Sequence, residues 1–209
     1  MRRSSAPGAE RQTAGAEPRA VGGLVAALTA IDARASERLR HATERAGIRR
    51  LAAFVAHSAD WWWWLIGTAV LWLGGDARAR PAILVVTATI VVTAITVQSL
   101  KWLVRRERPS GERDFLSRHT DPHSFPSGHA ARATALTVVG AALGPPWAVV
   151  ALAPWAALVA VVRVALGVHY VSDVLVGIAI GVACGLAVVA WAAGGFPYGF
   201  AVVAWGGLP

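Results

Sequence analysis

Lys101, Arg108, Ser127, Gly128, His129, Arg163, His169 and Asp173 are the residues of this chain whose types and spacing could do chemistry, and all lie at the margins of long apolar segments. Lys101 and Arg108 are seven residues apart, close to two helical turns, so a continuous helix would point both the same way until Pro109 stops it. A guanidinium fork and an ammonium point charge together suit a tetrahedral oxyanion. Ser127-Gly128-His129 opens an apolar segment. A helix starting there leaves backbone N–H groups free and aims its dipole at an anion. Gly128 permits close backbone approach, and His129 is placed to reach a leaving oxygen. Arg163 falls inside an apolar segment, where a charge is costly unless paired or facing a cavity. His169 and Asp173 are four apart, a spacing that lets a carboxylate orient an imidazole along one helix face. Cations alone would make an anion site. Cations with two imidazoles and an acid make a site that breaks a bond.

These residues need elements to position them, and the composition says which. Hydrophobic residues make up 56% of the 209, mean hydropathy is +0.51, and the formal net charge is +8. The apolar residues come in blocks, so the pattern indicates a membrane protein and excludes a nucleic-acid binder. Residues 1–20 read as a disordered tail, and residues 22–47 as an amphipathic helix on anionic headgroups, with Leu24, Leu28 and Ile31 set among Arg34, Arg38 and Arg40. Five spans follow, over 51–74, 82–104, 127–143, 147–168 and 171–193. His57, Ser58 and Asp60 interrupt the first, facing a cavity or other helices. Trp61 to Trp64 read as an interfacial anchor. Gly177, Gly181 and Gly185 make a stripe for close helix packing. The fold class is therefore all-α: an integral membrane helical bundle of about five transmembrane helices plus an N-terminal amphipathic helix. One domain covers 21–195, its motif-bearing part 50–193, and 196–209 is an apolar tail.

Five spans put the loop at 105–126 and the junction near 169–171 on one side of the bilayer, which gathers every candidate residue on one face. Ten Arg precede residue 51 on that same side, against Arg78 and Arg80 opposite, which by the positive-inside rule favours a cytoplasmic site; long N-terminal tails count less in that rule and catalytic cations inflate the loop's total, so both sides stay open. Cys184 is the only cysteine, so no intrachain disulfide forms.

In order and spacing, Lys101…Arg108-Pro109, Pro126-Ser127-Gly128-His129 and Arg163…His169…Asp173 resemble the three motifs of the type 2 phosphatidic acid phosphatase superfamily of membrane lipid phosphatases. The resemblance covers about residues 50–193. It implies that His169 attacks phosphorus to give a phosphohistidine, that Asp173 accepts the imidazole's other N–H, and that His129 protonates the leaving oxygen. Lys101, Arg108, Ser127, Gly128 and Arg163 would hold the phosphoryl oxygens, with no metal or other cofactor. It also implies a phosphorylated lipid substrate, such as undecaprenyl pyrophosphate or a phosphatidic acid-like lipid, drawn from the plasma membrane of a bacterium. One departure is Val162, where the family has Ser, which implies modestly weaker anion binding. Val162 is also the only sequence support for an inactive lipid-phosphate-binding protein. A rival metal site could draw on His119, Asp121, His123 and His129.

Overall fold

The structure is a computed structural model that describes residues 16–41, 46–109 and 123–194. The N-terminal stretch 1–15, the apolar tail 196–209, and His119 and Asp121 of the rival metal set lie outside the described residues. Among the described residues seven α-helices follow in order: α1 (Ala16–His41), α2 (Ala46–His57), α3 (Trp61–Gly74), α4 (Arg80–Val104), α5 (Gly128–Leu143), α6 (Pro146–Ala165) and α7 (Val171–Ala193). Helix α1 thus begins inside the stretch read from sequence as a disordered tail.

Helix α5 is the hub and packs against α4, α6 and α7. Its inward residues are small: Ala130, Ala131, Ala133 and Ala135 are all fully buried. Its partner α7 answers with the glycine stripe. A Cβ on Gly177 would lie 2.6 Å from the Ser127 carbonyl oxygen, one on Gly181 2.3 Å from that of Ala131, and one on Gly185 2.8 Å from Val138 Cβ. Backbone-to-backbone approach this close needs glycine. Outside, large apolar side chains face away from the bundle: Leu73, Leu103 and Val150 are each more than 70% exposed. An exterior of that kind suits lipid rather than water. Buried hydroxyls within α4 are satisfied along the helix, Thr89 donating to the Val85 carbonyl and Thr93 to that of Thr89, each at 2.7 Å.

Among the described residues, three stretches are long and apolar enough to cross a bilayer: Ala77–Val104, Pro146–Ala165 and Val171–Ala193. The single span read over 51–74 is instead two helices, because the chain breaks at 58–60. Polar side chains hold that break in place. Trp155 donates to Ser58 Oγ at 2.9 Å, Trp64 to the Ser58 carbonyl at 3.1 Å, and Arg132 of α5 to the Ala59 carbonyl. Helix α3, at 14 residues, is about 21 Å long, and α5, at 16, about 24 Å, both shorter than the ~30 Å hydrocarbon core.

Helix α1 packs on α6 and α7, and its Ser36 is buried. Leu28 and Ile31 stay exposed on its other side, 56% and 60% respectively.

Candidate active site

The C-terminal ends of α4 and α6 and the N-terminal ends of α5 and α7 come together at one end of the bundle. Backbone and side-chain bonds lock their loops to one another. Ser124 N donates to the Arg106 carbonyl at 2.8 Å and its Oγ to that of Glu107 at 2.9 Å. Lys101 Nζ donates to the His123 carbonyl at 3.1 Å, Arg108 Nη1 to the Val168 carbonyl at 3.1 Å, and Ser127 N to the Asp173 carbonyl at 2.9 Å. Each of the three sequence motifs is therefore tied to another. The loop entering α5 also carries a cis Phe125–Pro126 bond.

All eight candidate residues sit in this end, though two not as the spacing suggested. Helix α4 ends at Val104, where Arg105 takes a left-handed conformation at φ 53°, so Arg108 lies in the following loop rather than on the helix face of Lys101. The loop nevertheless folds back and buries Arg108 to 8% exposure, against 2% for Lys101 and 3% for Arg163. All three charges act on His169. Burial first, then Arg163, Lys101 and Arg108, push its pKa well below the ordinary histidine value, so the imidazole is neutral at physiological pH.

The pairing of His169 with Asp173 is the second correction. Helix α7 starts at Val171, which leaves His169 in the preceding loop, off the helix face. Its Nδ1 is 3.7 Å from Asp173 Oδ2, too long for a hydrogen bond. The carboxylate is engaged elsewhere: Oδ1 accepts from Arg106 Nη1 at 2.7 Å and Oδ2 from Tyr170 N at 2.9 Å, capping α7. His169 Nδ1 and Ser127 Oγ are both buried with no hydrogen-bond partner among the described residues. Ser127 stands at the N-cap of α5 without capping it, and Gly128 begins the helix.

Three groups around the site had no role assigned from sequence. Arg106 bridges Asp173 to Asp32 of α1 (Nη2 to Oδ2, 2.9 Å), donates to Ser172 Oγ at 2.6 Å, and lies 4.0 Å over the Tyr170 ring. Asp32 also accepts from Ser172 N at 3.0 Å, and Ser36 Oγ from Val171 N at 3.1 Å, so α1 caps the N-terminus of α7. The partners of Asp32 lie 74 and 140 residues away, and no local pattern marks such a contact. Asp60, the third, is at the α2–α3 break. Its Oδ1 is 2.6 Å from His129 Nε2 and its Oδ2 3.0 Å from His57 Nδ1. Burial raises the Asp60 pKa, but the hydrogen bonds and charge of the two histidines outweigh it and hold it at about 2. The signal for Asp60 was present in the sequence as polar residues interrupting an apolar run.

Val162 faces α2, buried against Ala52 and Ala56. The side chain that departs from the family pattern is therefore part of a helix contact.

An all-helical bundle with a lipid-facing exterior, three buried cations and two imidazoles at one end defines a membrane phosphatase. The PAP2 superfamily profile matches residues 82–196. Decaprenylphosphoryl-5-phosphoribose phosphatase of Mycobacterium tuberculosis is 36% identical over 132 residues, 62% of this chain and 70% of that protein. Lipid A 1-phosphatase of Rhizobium johnstonii is 33% identical over 99 residues, 43% of this chain and 39% of that protein. A transmembrane PAP2-type phosphatidylglycerolphosphate phosphatase of Bacillus subtilis shares the fold, with a TM-score of 0.68 at 21% identity, over 83% of this chain and 90% of its own. The chain belongs to the PAP2 superfamily, as an integral membrane phosphatase acting on phosphorylated lipids.

Proposed function

We propose that this protein removes a terminal phosphate from a lipid headgroup in a bacterial plasma membrane, through a phosphohistidine on His169 and without a metal. The observation that carries this reading is the burial of a neutral imidazole among Arg163, Lys101 and Arg108. A neutral nitrogen is the nucleophilic form, and the surrounding cations draw the phosphate to it and stabilise charge spreading onto the equatorial oxygens. Ser127 Oγ, buried and lacking a partner among the described residues, is a donor for one of those oxygens, and the Gly128 N–H at the start of α5 for another. His129 protonates the leaving oxygen and then takes a proton from the water that releases phosphate. Asp173 reaches His169 only after a shift of less than about 1 Å from 3.7 Å, a tightening that substrate binding commonly brings.

The tail stays in lipid while the phosphate enters at the bundle end. Among lipid classes, a prenyl-phosphoryl sugar phosphate is the first choice, supported by the relative in Mycobacterium tuberculosis that is named for such a substrate. The test is phosphate release by detergent-purified protein from a panel: a prenyl-phosphoryl pentose phosphate, undecaprenyl pyrophosphate, phosphatidic acid and phosphatidylglycerol phosphate. The first should turn over with the highest kcat/KM, unaffected by EDTA, and His169→Ala should be inactive on all four. Equal release by wild type and His169→Ala would remove the nucleophile assignment. Preference for phosphatidic acid would remove the prenyl sugar.

A further inference from the structure

We propose that Asp60, held by His57, is the positioning residue that aims His129 at the leaving group and favours its protonated form there. This rests on the reading of His129 as general acid given above. The Asp60 carboxylate stands in the break between α2 and α3 and uses both oxygens on imidazoles, Oδ1 on His129 Nε2 at 2.6 Å and Oδ2 on His57 Nδ1 at 3.0 Å. Those two histidines hold it ionised down to about pH 2. An ionised carboxylate can only accept, so both ring nitrogens facing it carry hydrogen. The tautomer of His129 is thereby fixed: Nε2–H points at Asp60, and Nδ1 is the nitrogen that exchanges a proton with the reaction.

The charge environment explains why such a partner is needed. Burial, then Arg163 of α6 and Arg132 of the same helix, act on His129. Two cations beside a buried imidazole oppose its protonated form. A general acid must carry that proton when the P–O bond breaks, and Asp60 supplies the opposing negative charge at hydrogen-bond distance. The break at 58–60 gains a purpose from this. Helix α2 ends with His57, α3 begins after Asp60, and Arg132 holds the intervening Ala59 carbonyl, which ties the break to α5.

The proton count closes without Asp60 gaining or losing one. As the His169 N–P bond forms and the P–O bond breaks, Nδ1–H of the His129 imidazolium passes to the leaving oxygen, giving a neutral alcohol or phosphate product. Water then attacks phosphorus, its proton goes to Nδ1, the N–P bond breaks, and the imidazolium is restored. The carboxylate orients and stabilises throughout, as an acid partner behind a catalytic histidine does.

A leaving group that needs no proton separates this role from a merely structural one. Octyl phosphate leaves as a strongly basic alkoxide unless protonated, whereas 4-nitrophenyl phosphate leaves as a stable phenolate. First-turnover release of each is measured by rapid quench or stopped flow for wild type, Asp60→Asn and His129→Ala in detergent, with thermal unfolding followed alongside. Asp60→Asn should lose about 100-fold or more on octyl phosphate and stay within about threefold on 4-nitrophenyl phosphate, parallel to His129→Ala. If His129→Ala discriminates between the two and Asp60→Asn loses equally on both, or on neither, the positioning role is overturned. If His129→Ala does not discriminate, the general-acid reading fails, and this inference with it. Should Asp60→Asn not fold, Asp60→Glu displaces the carboxylate by one methylene and is read the same way. Loss confined to octyl phosphate supports the role, and uniform loss or none overturns it.

Discussion

Replacing Asp32 by Ala should loosen the active site from a helix that carries none of the family motifs. Asp32 contributes two kinds of contact. One is a cap on α7, through Ser172 N at 3.0 Å and the Ser172 hydroxyl. Losing a cap costs about 0.5–2 kcal/mol. The other is an ion pair with Arg106 at 2.9 Å, with side chains 25% and 13% exposed. A pair that is partly exposed falls between the ~0–1 kcal/mol of a surface pair and the ~3–5 kcal/mol cost of breaking a buried one, so about 1–2 kcal/mol is reasonable. One carboxylate serves both contacts, so the losses overlap, and about 2–3 kcal/mol is the expected total. That corresponds to a fall in Tm of roughly 4–12 °C for a chain of this size. Asp32→Asn keeps an oxygen for Ser172 N and should lose only about half as much. Arg106 also holds Asp173 Oδ1 at 2.7 Å, so the same change leaves Arg106 less firmly placed beside the acid near His169, and kcat should drop with little change in KM. Tryptophan fluorescence during heating reads the first effect and phosphate release the second. A Tm for Asp32→Ala within about 1 °C of wild type would show that α1 does not anchor the site.

Other substitutions test the packing and the charges. Gly181→Ala places a Cβ 2.3 Å from a backbone oxygen of α5 and should cost about 1–3 kcal/mol or more, while Gly67→Ala, with nothing within 4 Å, should be neutral or stabilising; differential unfolding of the pair decides it. His169, its pKa held low by burial and three cations, should remain neutral at pH 6 in NMR titration of histidine-labelled protein. The unfolded chain binds that proton first, so this group's contribution to stability falls as pH drops below about 6.5. An NMR midpoint at or above that value would contradict the buried cluster. Val162→Ser puts a hydroxyl between Ala52 and Ala56 and should lower stability by about 1–3 kcal/mol while leaving KM within about twofold, measured by unfolding and by steady-state phosphate release.

What could be read from the sequence was whatever local spacing or composition encodes. Apolar blocks gave the membrane bundle, the glycine stripe a close helix contact though not its partner α5, and three short motifs the residues gathered at one end. Helix periodicity misled where the chain leaves the helix: Arg105 turns left-handed before Arg108, and α7 starts only after His169, so neither i,i+7 nor i,i+4 geometry applies. Yet tertiary bonds bring both residues into the same cluster. The expected His169–Asp173 bond gave way to Arg106, a stronger partner whose charge the carboxylate meets at 2.7 Å. Asp32 was illegible as a site residue for a different reason, and Asp60 was legible only as a polar group facing a cavity or other helices. Their partners are 140 and 69 residues away, and nothing about a lone acid in an apolar or amphipathic stretch says which distant group it will meet.

The covalent intermediate is the most direct test. Wild-type protein mixed with substrate labelled with ³²P at its terminal phosphate and quenched in alkali within one turnover should carry label that is alkali-stable and acid-labile, and peptide mapping should place it on His169. His129→Ala should form it more slowly, because the leaving oxygen then lacks its acid, and His169→Ala should carry none. Turnover by the wild type with no trapped label, or equal label on His169→Ala, would contradict nucleophilic attack by this imidazole.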